Sequence, residues 1–452
     1  MSKTIHFVSL GCPKNTVDTE RMVALAESQG FRVCREPQEA DVIVVNTCGF
    51  IEPAKQESID TLLQMAEHKE GGRCKQLVMA GCLSQRYPDV LSRELPEVDH
   101  FIGTADLPRL GRIFDKSGES RIAVGEPKGL DEADYRRTLI GPPHSAYLKI
   151  SEGCNRPCAF CSIPIMRGRQ RSRTIASLVD EAHALAAQGT RELILVAQDS
   201  TAYGSDLPRG EARLELLLQA LKEVELLRWI RVHYAYPSML TPPLLEAMAE
   251  LPQVVPYIDI PIQHVDDGLL KIMKRGYSGD GVRKTIHELR AAIPEMWIRT
   301  TLLVGHPGET HDAHLRLMDF LTEEKIDHVG TFVFSPEEST PAAELPDTVP
   351  DNLAEERRDE VMTLQRDIAR EKLERLRGRT IEVMIDGVSE ESEFLLQGRH
   401  AGQSPGIDGN VIVADAEAQP GEIIHALVTD SAEYDLVAHQ TPGAEHAEGV
   451  NP

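Results

Sequence analysis

The chain has 452 residues, of which 41% are apolar and 27% charged, a composition typical of globular proteins with about three domains rather than of a disordered chain. Its longest apolar runs are much shorter than the roughly 20 residues of a membrane span, and its amino terminus lacks the pattern of a secretory signal, so we expect a cytoplasmic protein. The net charge of −24, from 48 basic and 72 acidic residues, argues against non-specific nucleic-acid binding and favours a basic protein partner.

The first hundred residues alternate short apolar strands with helices. Helices are expected at residues 18–29 and about 53–68, and strands at residues 5–10, 31–34, 42–45 and 77–80. This alternation predicts a parallel α/β sheet. Residues 103–145 lose the pattern and end in stretches rich in Gly and Pro, which indicates a linker or a domain edge.

Residues 146–345 repeat the alternation of strand and helix. Helices are expected, for example, at residues 175–188, 214–225 and 281–292. Six strands are expected at residues 146–150, 192–197, 229–234, 257–260, 298–304 and 329–334. The pattern predicts a barrel or partial barrel of β/α units, with the active site at the carboxyl ends of the strands.

The last part of the chain changes character twice. Residues 353–377 are highly charged and carry apolar residues at helical spacing, which predicts a surface helix. Five short strands then follow, at residues 380–385, 393–397, 410–414, 422–428 and 434–438. They predict a small β-barrel of the oligonucleotide-binding type, and we expect the tail from residue 441 to be disordered.

One loop contains three cysteines, and it comes directly after the first strand of the predicted barrel. Cys154, Cys158 and Cys161 stand within eight residues, so their thiols can converge on one metal centre. Three protein ligands leave one coordination position open, as a metal that contacts substrate requires. The alternative is a structural zinc site with a distant fourth ligand.

A second set of three cysteines is spread along the first hundred residues. Cys12, Cys48 and Cys82 each follow a predicted strand, and the carboxyl ends of parallel strands share one edge of a sheet, where ligands collect. A glycine flanks each of them, so the backbone can approach a bulky ligand closely. The sequence therefore predicts a second three-thiolate site, against the alternative that each cysteine is a small buried hydrophobic residue.

The other candidate residues are weaker. Cys34 and Cys74 lack such a setting, and we interpret them as structural. Gly305 opens a GHPGET turn that lacks the lysine of a phosphate-binding loop; it can pack against a flat ligand or be an ordinary loop. Gln198 ends a strand at the predicted barrel mouth, where a functional and a structural role are equally open. His233 and His264 are expected to be structural.

The cysteine loop, with Phe160 before its last cysteine, resembles the radical S-adenosylmethionine (SAM) superfamily. With Cys12, Cys48 and Cys82 ahead of it, the chain is similar to the methylthiotransferase family over nearly its whole length. The resemblance implies an α/β multidomain fold. Its three parts are an amino-terminal parallel α/β domain (residues 1–120), a partial (β/α)6 radical SAM barrel (140–378) and a small carboxyl-terminal TRAM β-barrel (379–445).

Several segments resemble the branch of this family that modifies a ribosomal protein. They are SLGCPKNTVDTE, NTCGFIEPAKQES, ISEGCNRPCAFCSIPIMRG, YIDIPIQHVDD and TTLLVGHPGET. The turn AGQSPGIDG departs from the more acidic form expected in that branch. A sibling branch modifies an adenosine in tRNA, and it usually has a different stretch in place of DIPIQH.

The resemblance implies two 4Fe–4S clusters and SAM as cofactors. Cys154, Cys158 and Cys161 would hold the cluster that binds and cleaves SAM, and Cys12, Cys48 and Cys82 an auxiliary cluster that carries the inserted sulfur. Phe160, Gln198 and Gly305 would contact SAM. The implied substrate is the β-carbon of an aspartate in the twelfth protein of the small ribosomal subunit. A second SAM would give the methyl group, and an electron donor and a sulfur donor would be further partners.

The charge distribution agrees with a protein substrate. Residues 381–452 contain one Arg and fourteen Asp or Glu, a net charge of −13. A small barrel that binds tRNA should be basic, whereas an acidic one suits a basic ribosomal protein. The rival hypotheses are the tRNA-modifying enzyme and a non-catalytic iron–sulfur or zinc protein.

Overall fold

Residues 3–114, 120–128 and 136–441 are described in a computed structural model of the chain. The predicted disorder after residue 441 concerns residues outside this description, as do parts of the predicted linker. The described chain forms a parallel α/β sheet, an open barrel of β/α units and a closed β-barrel, so the predicted fold class is confirmed. No helix in these ranges is both long enough and apolar enough to cross a membrane.

The amino-terminal sheet has six parallel strands in the order β2-β1-β3-β4-β5-β6. Two apolar cores cover its faces. The elements in chain order are β1 (Thr4–Ser9), α1 (Pro13–Ser28), β2 (Arg32–Val33), β3 (Val42–Thr47), α2 (Glu52–Gly71), β4 (Gln76–Gly81), α3 (Cys82–Arg86), α4 (Pro88–Glu94), β5 (His100–Ile102), α5 (Arg109–Phe114) and β6 (Ile122–Ala123).

Two predictions for this region need correction. Helix α1 begins five residues before its predicted start, because Pro13 occupies the first helical position, where its missing N–H and fixed φ favour a helix. The segment expected to be irregular contains α5 and β6. Strands of two or three residues, such as β5 and β6, are too short to show a hydrophobic period.

The second sheet has six parallel strands in the order β14-β13-β12-β11-β10-β7, and β8 pairs separately with β9. All six predicted barrel strands are present. The elements are β7 (Ser145–Lys149), β8 (Ser151–Glu152), α6 (Ile163–Arg167), β9 (Arg171–Ser172), α7 (Ile175–Ala187), β10 (Glu192–Val196), α8 (Leu214–Leu221), β11 (Trp229–Val232), α9 (Pro242–Glu250), β12 (Val254–Asp259), α10 (Asp267–Ile272), α11 (Gly279–Ala292), β13 (Trp297–Val304), α12 (His311–Glu324) and β14 (His328–Val333).

The carboxyl-terminal part begins with the long helix α13 (Asp351–Glu374) and continues as a closed five-stranded barrel. The five predicted strands are present, and most are longer than predicted. Their bounds are β15 (Thr380–Ser389), β16 (Ser392–Arg399), β17 (Val411–Ala414), β18 (Ile423–Ser431) and β19 (Leu436–Gln440).

A loop of the small barrel, residues 400–408, covers the amino ends of the strands of the open barrel. The carbonyl of Gly402 accepts a hydrogen bond from His328, the first residue of β14, at 2.8 Å. The Tyr257 hydroxyl donates to Asp408 at 2.8 Å, and the buried Arg399 pairs with Glu192, the first residue of β10, at 2.9 Å. These contacts explain why Gly402, Gln403 and Ser404 of the turn AGQSPGIDG are buried, and they leave the carboxyl ends of the strands facing the amino-terminal domain.

Candidate active site

The first three candidate cysteines lie at one edge of the amino-terminal sheet. Cys12 is the residue before α1, Cys48 follows β3 and Cys82 begins α3 directly after β4. Strands β1, β3 and β4 are neighbours in the sheet, so the three residues occupy equivalent positions on adjacent strands. We call Cys12, Cys48 and Cys82 the strand-end trio.

Gly11, the residue before Cys12, packs against Cys48. A Cβ atom on Gly11 would lie 2.8 Å from the Cβ and 3.1 Å from the Sγ of Cys48, and Gly11 has a φ of +90°, which favours glycine. Burial raises the pKa of the Cys82 thiol to about 12; Arg167 opposes the rise, and the charges of Cys12 and Cys48 add to it. Cys82 is buried, whereas Cys12 and Cys48 are partly exposed.

The other three cysteines lie in the loop between β8 and α6, and we call them the loop trio. The backbone N–H of Arg156 donates to Cys154 Sγ at 3.4 Å, and the Arg275 guanidinium donates to Cys158 Sγ at 3.2 Å. Burial raises the pKa of Cys161 to about 12, and the charges of Cys158 and Cys154 add to the rise. Two of the three sulfurs therefore accept a hydrogen bond.

A buried ionic network connects the two trios. Arg167, at the end of α6, donates two hydrogen bonds of 2.9 Å to Glu152, which lies two residues before Cys154. Its other nitrogen donates to Asn15 at 2.5 Å and to Asp18 at 3.1 Å on α1. Asn15 in turn accepts from the Cys82 thiol at 3.7 Å. Lys149 completes the network through contacts with Asp18 and Glu152.

The residues present fit iron–sulfur clusters better than single metal ions. Cysteine thiolates are the usual ligands of such clusters, and each thiolate binds a different iron. No three His, Cys, Asp or Glu side chains in the described ranges converge closely enough to bind one ion, whereas a zinc site would require that. Buried thiols with raised pKa values are costly to ionise, and a bound cationic metal centre offsets this cost.

The three residues expected to contact SAM have different surroundings. Phe160 packs against the apolar group Leu269, Met273 and Leu303, together with Phe334. Gln198 donates to Glu152 at 3.1 Å, so it belongs to the ionic network. Gly305 faces α13, where a Cβ atom would lie 2.5 Å from Ala354 Cβ, and this close packing accounts for the glycine.

The remaining candidates are in structural settings. Cys34 and Cys74 are buried in an apolar core of the first sheet. His233 is hydrogen-bonded to Ser404 at 2.9 Å, and burial lowers its pKa to about 3. His264 is fully buried 3.7 Å from Glu309.

Sequence reasoning missed the charged residues between the trios. Lys149, Glu152 and Arg167 belong to the open-barrel part, in β7, β8 and α6, whereas Asn15 and Asp18 come from α1. Their separation in sequence hides the contact. The only sequence signal for these residues was their closeness to the candidate cysteines. Arg167 and Glu152 flank the cysteine loop, and Asn15 and Asp18 closely follow Cys12.

Three family models match the chain. The radical SAM superfamily matches residues 148–321, the TRAM domain matches residues 378–440 and an uncharacterized protein family, UPF0004, matches residues 4–103. The matched ranges coincide with the open barrel, the small barrel and the amino-terminal sheet.

Curated relatives match almost from end to end. The ribosomal protein uS12 methylthiotransferase RimO of Anaeromyxobacter sp. (strain Fw109-5) is 49% identical over 96% of this chain and 92% of its own length. Proteins of the same name from Sorangium cellulosum (strain So ce56) and Geobacter sulfurreducens (strain ATCC 51573 / DSM 12127 / PCA) are 47% and 43% identical, over 99% and 96% of this chain and 93% and 97% of their own lengths.

Solved structures share the fold at low identity. The radical SAM methyltransferase TsrM from Kitasatospora setae has a TM-score of 0.59 at 15% identity, over 76% of this chain and 77% of its own. The cobalamin-dependent SAM radical enzyme OxsB has a TM-score of 0.52 at 13% identity, over 80% and 56%. These similarities concern the fold alone.

Proposed function

This chain belongs to the ribosomal protein uS12 methylthiotransferase RimO family, and on that premise we propose that it methylthiolates the β-carbon of an aspartate in ribosomal protein uS12. It is an enzyme of the radical SAM type, a class that uses SAM and a 4Fe–4S cluster. The observation that carries the proposal is the placement of two cysteine trios on either side of one ionic network. Two linked metal centres suit a reaction that needs both a radical and a sulfur atom.

The loop trio would hold the cluster that binds SAM. When cluster and SAM are bound, they supply reductive cleavage of SAM and removal of hydrogen from an unactivated C–H bond, chemistry that side chains cannot supply. The chain orients this centre through Arg275, which donates to Cys158 at 3.2 Å. Arg275 is itself fixed by a bond of 2.6 Å to the carbonyl of Pro261 and one of 2.7 Å to the Tyr277 hydroxyl.

The strand-end trio would hold a second 4Fe–4S cluster, which carries the sulfur to be transferred. Gly11 leaves the space beside Cys48 that a side chain would fill. Arg167 places a buried positive charge beside Cys82 and Cys12, and this charge opposes the rise that burial causes in the pKa of the Cys82 thiol. Asn15 joins the trio to the edge of the sheet by donating to the carbonyls of Leu10 and Thr47 at 2.9 and 3.0 Å.

The small barrel would dock the basic substrate protein. Its hairpin between β15 and β16 carries Glu390, Glu391 and Glu393 next to Phe394, which is 82% exposed. Carboxylates around an exposed aromatic side chain suit a partner with basic residues and an apolar contact. The net charge of −13 over residues 381–452 opposes binding of a tRNA backbone, so the tRNA-modifying alternative is not favoured. A ribosomal substrate would place the enzyme in the cytoplasm.

Mass spectrometry of uS12 and of tRNA from a deletion strain tests the proposal. We expect uS12 to lose the mass of one methylthio group and to regain it when the gene is restored, while the tRNA nucleosides stay unchanged. A change confined to tRNA would overturn the proposal in favour of the sibling activity. Unchanged uS12 and tRNA together would leave the carrier or assembly hypothesis.

A further inference from the structure

Lys14 is an unusual residue between the two trios. It is the second residue of α1, two positions after Cys12, and it is only 7% exposed. Its ammonium nitrogen lies 3.4 Å from the centroid of the Tyr234 ring. The side chain therefore extends from the strand-end trio to the end of β11, at the carboxyl side of the open barrel.

Tyr234 holds this ammonium in a defined place. It lies two residues after β11 with a φ of 60°, a left-handed conformation that is uncommon for a bulky residue. Two backbone contacts fix it: its N–H donates to Asp259 at 3.4 Å, and its carbonyl accepts from Ser200 at 2.9 Å. An ammonium on the face of an aromatic ring is attracted by the ring but still has its N–H donors to satisfy.

The other cations at this face already have hydrogen-bond acceptors. Arg167 donates hydrogen bonds to Glu152, Asp18 and Asn15, and Lys149 donates to Asp18 and Glu152. The remaining pairs are Arg156 with Asp199 at 2.6 Å, Arg275 with Cys158 at 3.2 Å and Arg299 with Asp259 at 3.4 Å.

Lys14 differs from these cations. Among the residues that the structure describes, no side chain or backbone group forms a hydrogen bond or an ion pair with its ammonium. Buried ammonium groups are normally paired, because loss of hydration without a partner is costly. The ring of Tyr234 beneath it belongs to a residue whose carbonyl accepts from Ser200, and the residue before Ser200, Asp199, pairs with Arg156 in the cysteine loop. The Lys14 ammonium therefore lies between the two trios.

We infer that Lys14 binds the side-chain carboxylate of the substrate aspartate. The inference rests on the proposed function, since that reaction needs the β-carbon, which is bonded directly to the carboxylate carbon. An ammonium fixed on Tyr234 would hold the carboxylate and thereby set the position of the β-carbon between the two metal centres. Lys14 would also make the site selective for aspartate over asparagine, because the neutral amide loses the charge-assisted hydrogen bond.

The test compares Lys14→Met with the wild-type enzyme, both loaded with clusters under anaerobic conditions in the presence of SAM. The probes are two peptides from the presumed uS12 target loop that differ by Asp→Asn at the modified position. We expect the wild type to bind the Asp peptide about tenfold or more tightly than the Asn peptide. Lys14→Met should bind both peptides with the affinity that the wild type has for the Asn peptide.

A matched control is Lys75→Met, the same change at an exposed lysine of the same domain; it should keep the preference for the Asp peptide. Iron content and the electron paramagnetic resonance signals of Lys14→Met should equal those of the wild type. If the variant keeps the Asp preference, or if it changes the cluster signals and weakens both peptides equally, the inference is overturned. A wild-type enzyme that neither binds nor modifies the Asp peptide would instead overturn the proposed function, and the inference with it.

Discussion

The two cysteine trios differ in how the chain assembles them. The loop trio stands within eight residues, so one local loop supplies all three sulfurs. The strand-end trio is spread over some seventy residues, and its members lie at one edge of the sheet because β1, β3 and β4 are adjacent parallel strands. The first site depends on local backbone geometry, whereas the second depends on the correct pairing of a whole sheet.

This contrast predicts that the two sites can be lost separately. The largest effect is expected for Cys158→Ala, which should abolish SAM cleavage because it removes one of the three sulfurs that we propose hold the SAM-binding cluster. Cys48→Ala should leave reductive SAM cleavage and abolish sulfur transfer. The measurements are 5′-deoxyadenosine formation and peptide methylthiolation by mass spectrometry.

Iron analysis is the control for this pair of variants. We expect about eight irons per wild-type chain and about four in each variant, since each cubane cluster contains four. Equal loss of SAM cleavage in both variants would contradict the division of labour between the trios. Stoichiometric zinc with little iron would contradict both cluster assignments.

The same contrast explains what the sequence could and could not predict. The loop trio can be read directly from its spacing, and the strand-end trio from three cysteines that each follow an apolar strand. Arg167 could not be predicted, because its partners Asn15 and Asp18 lie about 150 positions away and on another domain. Lys14 was also hidden, because its distinguishing property is the lack of a hydrogen-bond or ion-pair partner in the described part of the folded chain.

The fold shows a similar division. The apolar strands of both sheets were predictable because burial on both faces gives continuous apolar runs. Strands β5 and β6 were missed because two or three residues carry no period. The docking of the loop 400–408 on the open barrel was also unpredictable, since the contacts of this loop and of the adjacent Arg399 are with Glu192, His328 and Tyr257, which belong to three separate strands.

A second prediction tests whether the ionic network joins the trios. Arg167→Met should lower the free energy of unfolding by about 3–5 kcal/mol, because it leaves buried carboxylates without one of their partners, and it should change the signals of both clusters. The matched control is Arg231→Met, which removes another fully buried guanidinium, paired with Glu192 at 2.9 Å. The control should show a similar loss in chemical denaturation with normal cluster signals. Unchanged cluster signals in Arg167→Met would show that the ionic network does not link the two trios.

A third prediction concerns the strand-end trio alone. Gly11→Ala adds a Cβ atom 2.8 Å from Cys48 Cβ, so we expect it to lower the iron content by up to one cluster while SAM cleavage continues. Gly210→Ala is the matched control, because Gly210 has a φ of +91° and no atom within 4 Å of the added Cβ. The control should lose only the free energy of unfolding that an alanine costs in the left-handed backbone conformation, about 1–2 kcal/mol. Equal iron content in the two variants would show that the space beside Cys48 is not needed.

The smallest expected effect separates substrate docking from SAM chemistry. Exposed charges are screened over about 8 Å at physiological ionic strength, so added salt should raise the KM for uS12 several-fold and leave SAM cleavage without substrate unchanged. Replacing Glu390, Glu391 and Glu393 by Gln should raise KM at low salt and flatten its salt dependence, because these carboxylates flank the exposed Phe394. If the triple variant keeps the wild-type salt dependence, the docking charges lie elsewhere. If salt slows SAM cleavage equally, the salt effect does not arise from docking by the small barrel.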